Sequence, residues 1–432
     1  MRFRTSGGLA RRIGSGTWAV ADQALYAGAN FALNVALARA LTPEAYGAFT
    51  TGFIAFLLLG AVHGGLLIEP LLVFGAGRMA PRRRDYLRWA VGAHMRVAGV
   101  IALVLAGAGA VAALAGQPVL GAALFGFALA QGGVLLHWLL RRACHLVDRP
   151  DLAAASGIVY LGLVVAGGVA LGSAGWLTAL GAPLLMGVAS LFAACALAIC
   201  LKVQASAASP LVARAAGAAH LAYGRFAAGS GVLEWAQGAL PFLVLPLVAG
   251  LAGTAELRAA FNLAMPALQA GAALTVMCVP LLVRARRAGT MDVAARRAGV
   301  ALAVGAGVYG LLVGFFGDVA MSWLYQGAYV AGPAVRWTLA ALPLASVAAG
   351  VFAAVLRAQE RPRAVLVSRM ASIGIGLVAT AVLASLAGVA GALAGAVATL
   401  ALEAIILAWH SLRDDAPART PAPAGPQTAL AS

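Results

Sequence analysis

Long apolar stretches alternate with short polar interruptions along the whole chain, and their spacing predicts twelve helices. They fall at 14–38, 45–74, 89–114, 118–141, 152–173, 176–201, 225–250, 257–283, 298–317, 332–356, 365–387 and 389–410. At about 1.5 Å per helical residue, each is long enough to cross a hydrocarbon core roughly 30 Å thick. The second run and the eighth also resemble one another. Glu44 and Phe49 recur as Glu256 and Phe261, and Pro70-Leu71-Leu72-Val73 recurs as Pro280-Leu281-Leu282-Val283. Six spans therefore precede a duplicated six, and an even unit returns to its starting side, so both copies share one orientation.

Polar residues inside these runs are few and ordered. Asp22, Tyr26, Asn30 and Asn34 lie four apart with Gln23 beside them, which makes one polar stripe down the first helix. The seventh span places Ser230, Glu234, Gln237 and Pro241 on one face, and the eighth does the same with Asn262, Pro266 and Gln269. His63 and Glu69 stand in the second span, and Glu403 in the last. Membrane-embedded polar groups face protein or water, so these stripes either line a passage or join helices by hydrogen bonds. On the first reading Asp22, Gln23, Tyr26, Asn30, Asn34, Glu234, Gln237, Asn262 and Gln269 line a cavity. Asp22, Glu234 and His63 are then the candidates for ion coupling, with His94 and His137 as further histidines that suit proton carriage.

Composition agrees with the pattern. Of 432 residues 62% are hydrophobic and 10% charged, more apolar surface than a soluble monomer tolerates. The formal charge of +16 is explained by placement. With both termini cytoplasmic, all but four of the 30 Lys and Arg fall on the inner side, the exceptions being Arg39, Arg258 and Arg336 outside and Arg96 within a span. That distribution excludes the continuous basic face of a nucleic-acid binder. The resulting organisation is an N-terminal six-helix lobe over 1–201, a cytoplasmic interlobe linker over 202–224, a C-terminal six-helix lobe over 225–410 and a Pro- and Ala-rich disordered cytoplasmic tail over 411–432. The longest outer loop runs from Gly317 to Gly332, with Trp323 and Tyr325 at headgroup level.

Other chemistry is missing. Cys144, Cys195, Cys200 and Cys278 have no metal or redox spacing, and Gly305, Gly307 and Gly310 sit inside a span with no preceding strand for a dinucleotide fingerprint. The single lysine, Lys202, belongs to no P-loop, and no H-E-x-x-H occurs. No enzymatic activity, cofactor or metal is expected. The arginines ahead of the first run, followed by Ala38-Arg39-Ala40, imitate a secretory signal, but the run is too long and too polar, so a retained first helix is expected.

The opening residues carry a resemblance. Trp18-Ala19-Val20-Ala21-Asp22-Gln23-Ala24-Leu25, Gly28-Ala29-Asn30-Phe31, Ala38-Arg39-Ala40-Leu41 and Glu44-Ala45-Tyr46-Gly47-Ala48-Phe49 resemble the first two helices of polysaccharide exporters. These belong to the multidrug/oligosaccharidyl-lipid/polysaccharide flippase superfamily, with the O-antigen flippases. The resemblance covers about the first seventy-five residues and continues as span count and duplication. It implies an all-α membrane protein with two pseudo-symmetric six-helix lobes around a central cavity. It also implies a bacterial cytoplasmic-membrane location and outward flipping of a lipid-linked glycan, on undecaprenyl diphosphate, by alternating access. The bilayer, that substrate and the glycan polymerase machinery are the implied partners. Cationic residues meeting the diphosphate are implied too, and Arg39, Arg96, Arg258 and Arg357 are the candidates. The alternatives are a cation-coupled multidrug antiporter of the same superfamily and a membrane-embedded glycan polymerase or ligase, although the short outer loops offer little room for a catalytic one.

Overall fold

The structure is a computed structural model that describes residue 25 and residues 27–203 and 208–413. Asp22, Gln23 and Tyr26, and the tail from Asp414, lie outside the described residues. Every regular element among the described residues is helical, and nine helices are long and apolar enough to cross a membrane. Two of these divide at non-helical residues. Gly250, at φ +66°, separates α7 (210–249) from α8 (251–287), and the Ala387-Gly388 break separates α11 (362–386) from α12 (389–413). Glycine suits both breaks because a side chain resists positive φ. Residues 27–40 form α1. The others are α2 (Pro43–Ala76), α3 (Arg83–Leu114), α4 (Pro118–Leu146), α5 (Pro150–Ser173), α6 (Gly181–Cys200), α9 (Met291–Tyr325) and α10 (Pro333–Ala358). The chain is thus a multi-pass all-α membrane protein, and its described residues form twelve helices, matching in number the runs that the hydropathy pattern predicts.

Proline starts many of them. Pro43, Pro118, Pro150, Pro210, Pro333 and Pro362 each open a helix, where the missing N–H costs nothing and the fixed φ already fits. Thr42 adds a cap on α2, its hydroxyl accepting from the Ala45 N–H at 3.3 Å. Helices extend past the apolar runs on the arginine-rich side: α7 begins at Pro210, within the interlobe segment, and α9 begins at Met291. On the opposite side α9 continues to Tyr325, which shortens the expected outer loop. Tyr325 is buried between helices, while Trp323 is exposed. The apolar run ends near Gly317 because Asp318 is charged, but Arg336 pairs with it at 2.8 Å and helical hydrogen bonding carries on.

Side chains such as Leu103, Leu129, Phe226 and Leu247 are exposed on the outside, the belt expected of a surface solvated by lipid. Inside, helices approach through small residues. A side chain at Gly47 would strike the backbone of Leu251, and one at Gly65 the backbone of Ala228. Through these two points α2 lies against α7 and the start of α8, joining the first half of the chain to the second.

Candidate functional site

Near the arginine-poor end, helices from both halves converge on a buried polar cluster. Asn34 on α1 is the centre: its amide nitrogen donates to the Asn30 carbonyl at 2.8 Å, and its Oδ1 accepts from two sides. Arg258 Nε on α8 donates to it at 3.0 Å, and the Tyr46 hydroxyl on α2 at 3.4 Å. One turn along α8, Asn262 Nδ2 faces the hydroxyls of Tyr46 at 3.4 Å and Tyr325 at 3.2 Å, and Tyr325 in turn donates to the Ala259 carbonyl at 3.0 Å. Tyr160 on α5 reaches the Asn30 Oδ1 at 3.3 Å. The Tyr329 hydroxyl is buried without a hydrogen-bond partner among the described residues, and its ring packs against those of Tyr46 and Tyr325. The stripes on the first and eighth helices therefore meet, and Asn30, Asn34, Arg258 and Asn262 come together.

Arg258 is the charge in this cluster. It is 8% exposed, and among the described residues no carboxylate lies within ion-pair distance of it. Its neighbours are an amide oxygen, the Phe53 ring with its centroid at 5.6 Å and the tyrosines. A buried guanidinium without a counter-ion is costly, and an incoming anion lowers that cost. The internal duplication adds a clue that sequence reading missed. In the register that aligns Glu44 with Glu256, Tyr46 is the counterpart of Arg258 and Thr50 the counterpart of Asn262, so equivalent positions of the two halves meet at the seal.

Outside this cluster, Arg39 is exposed and closes the same end, with Nε donating to the Leu324 carbonyl at 2.5 Å and Nη2 to that of Trp323 at 3.1 Å. Toward the arginine-rich end α8 becomes more exposed. Residues 254–264 are buried nearly all round, whereas beyond Pro266 only a stripe of Gly271, Thr275, Cys278 and Leu282 is covered. Pro266 and Gln269 continue the face of Asn262 and are exposed, so the face buried at Asn262 is uncovered one turn further on.

The remaining predicted residues occupy other places. Glu234 on α7 is exposed and interacts electrostatically with the exposed Glu69 of α2. Gln237 donates to Glu403 Oε2 on α12, and Arg369 Nε of α11 donates to the other oxygen at 3.2 Å. Glu403, 1% exposed, is thus held by neighbouring helices of the second half. His63 Nε2 and His94 Nδ1 lie 3.0 Å apart, both rings buried within the first half, and His137 Nε2 is 3.0 Å from Ser156 Oγ. Arg96 is exposed on α3, and Arg357 is exposed at the arginine-rich end of α10. Among the described residues no group of three or more His, Cys, Asp or Glu is placed to hold a metal.

No known family model matches the chain, and no curated protein matches it in sequence. Solved structures do match. One, described as an inward-facing multidrug resistance MATE family transporter of the MOP superfamily, superposes with a TM-score of 0.75 at 14% identity, covering 90% of this chain and 93% of that one. The lipid II flippase MurJ in an inward closed conformation gives 0.70 at 9% identity, over 93% and 87%. An outward-facing MATE transporter of the same superfamily gives 0.64 at 14% identity, over 91% and 93%. At such identities the likeness is one of architecture, and the inward-facing example superposes better than the outward-facing one. The chain has the all-α membrane fold shared by MATE transporters and the MurJ flippase, the fold of the MOP superfamily.

Proposed function

We propose that the protein is a transporter that flips a lipid-linked oligosaccharide or polysaccharide precursor, on undecaprenyl diphosphate, outward across the bacterial cytoplasmic membrane by alternating access. The observation that carries this reading is the position of Arg258, a buried cation with no carboxylate partner among the described residues, where the two halves meet beside Asn30, Asn34, Tyr46, Asn262 and Tyr325. A glycan diphosphate cannot enter hydrocarbon unsolvated. Amide and hydroxyl groups replace water around the sugars, and a guanidinium matches the phosphate oxygens. The exposed face through Pro266 and Gln269 leads from this point toward the arginine-rich end, which the positive-inside rule places in the cytoplasm together with both termini. The sequence resemblance of the first two helices and the MurJ-like fold support the same substrate class. An interior-negative potential favours outward movement of the anionic headgroup by about 2.3 kcal/mol per charge per 100 mV.

The decisive experiment deletes the gene and measures surface glycan together with the lipid-linked intermediates left behind. Loss of surface glycan, with complete repeat units accumulating on the inner leaflet, is the expected result. Export of unpolymerised single units would indicate a polymerase instead. The exposed Glu69 and Glu234 favour a second reading, cation-coupled multidrug efflux, because paired carboxylates in a passage suit proton or sodium exchange. Under that reading Asp22→Asn abolishes coupled efflux, and deletion leaves glycan intact.

A further inference from the structure

His220 belongs to no catalytic or transport motif, yet it is a buried contact between the two halves near the arginine-rich end. Pro70 prepares its site. In an α-helix the Leu66 carbonyl accepts from the N–H of residue 70, and proline has none. The helix responds with a π-helical turn over Gly64–Ile68, in which the Glu69 N–H bonds to the Gly64 carbonyl. The Leu66 carbonyl is taken by His220 on α7 instead, with Nδ1 at 2.9 Å. A carbonyl only accepts, so Nδ1 carries the proton. Nε2 then faces the Tyr86 hydroxyl at 2.5 Å, and that hydroxyl also lies 3.2 Å from the Pro70 carbonyl. The imidazole, 4% exposed in its residue, is enclosed by the rings of Phe74, Tyr86 and Trp89 from the first half.

We propose that this α2–α7 seam, centred on Leu66 and His220, is the hinge of the molecule, a contact that stays closed while the arginine-poor ends of the two halves part and meet. The inference rests on the alternating-access reading but not on the identity of the cargo. One feature distinguishes the seam from the Asn34–Arg258 seal. It lies toward the arginine-rich end and is already shut, although the α8 face beyond Asn262 is exposed there. Its backbones also touch directly: a side chain at Gly65 would meet Ala228 N at 2.2 Å, and one at Gly224 would meet Leu66 Cα at 2.9 Å.

A disulfide across the seam tests the idea. A Cβ built on Gly231 lies 3.6 Å from the Ala61 Cβ, within the range of about 3.5–4.5 Å that a disulfide needs. In full-length protein lacking Cys144, Cys195, Cys200 and Cys278, the pair Ala61→Cys and Gly231→Cys is expected to cross-link and to keep at least half of the parent's export after oxidation. A tenfold loss that reductant reverses, or failure to cross-link, would overturn the hinge. A readout independent of cargo uses nitroxide pairs in the same background. Labels at Val73 and Phe226 span the seam, and labels at Trp176 and Leu386 span the arginine-poor face. In Gly47→Ala, whose side chain forces the seal, the second distance is expected to lengthen while the first is unchanged. Equal changes in both pairs sink the proposal even if the cargo assignment stands. Absence of glycan export in the parent sinks the cargo assignment and leaves the label distances to decide the hinge. Pro70→Ala, which restores the missing N–H, and His220→Ala are expected to lower export by similar factors, with no further loss when combined.

Discussion

Arg258 and Asn34, 224 positions apart in the chain, share a 3.0 Å hydrogen bond between the two halves of the molecule. Because the donor is charged and the acceptor is a neutral amide, the bond contributes about 1.5–3 kcal/mol and yields readily to a better acceptor such as phosphate. Asn34→Leu removes the acceptor and keeps the charge. It is expected to shift the balance toward an open arginine-poor end by about tenfold to a hundredfold. Spin-label distances between Trp176 and Leu386 measure that shift, and an unaltered distribution would remove the seal from the mechanism.

Arg258→Gln carries a different expectation. Loss of the guanidinium should lower export at least tenfold, with inner-leaflet intermediates accumulating, while Arg258→Lys retains part of the activity because a point charge lacks the planar fork. Quantifying surface glycan and lipid-linked precursors in a deletion strain checks both variants. Full activity in Arg258→Gln would assign the cation a purely structural role.

Glu403, Arg369 and Gln237 join three helices of the second half, and the carboxylate is almost wholly buried. Glu403→Leu leaves Arg369 without its partner and is expected to cost about 3 kcal/mol of stability, the usual consequence of breaking such a pair from one side. Arg369→Met combined with Glu403→Leu should recover most of it. Thermal unfolding in detergent distinguishes the three proteins. A double variant no better than the single one would show that the charges matter beyond their mutual compensation.

Glu69 and Glu234 are exposed and close enough to interact electrostatically across α2 and α7. Glu234→Gln is expected to abolish the response of transport to an imposed proton or sodium gradient and to preserve the response to membrane potential. Proteoliposomes with the two gradients set independently provide the measurement. Unchanged gradient dependence would transfer the coupling role to Asp22 or exclude it altogether.

Backbone proximity provides a further prediction. Gly47 packs directly on Leu251, so Gly47→Ala should hold the arginine-poor ends apart and raise the labelling of a Thr50→Cys reporter by a membrane-impermeant thiol reagent. Thr50 suits this use because it is fully buried and its hydroxyl has no hydrogen-bond partner among the described residues. Equal labelling with and without Gly47→Ala would place the seal elsewhere.

Much of this architecture was legible in the chain itself. Apolar run length determined the helix number, and the arginine distribution set the polarity of the two ends. Four-residue spacing identified Asn30, Asn34, Asn262 and Gln269 as one-faced stripes. Each is a local property, dictated by the hydrocarbon thickness and the helical repeat. Periodicity reveals that a stripe exists but not which stripe it meets. Only packing brought Asn34 to Arg258, added Tyr46 and Tyr325 to the cluster, and gave Gln237 its partner in Glu403. Likewise, Pro70 announced a carbonyl without its donor, and the tertiary fold alone chose His220, some 150 residues away, to fill it. Helices form from neighbours in sequence, whereas the partner of a buried polar group is whichever chemistry the folded bundle carries to it.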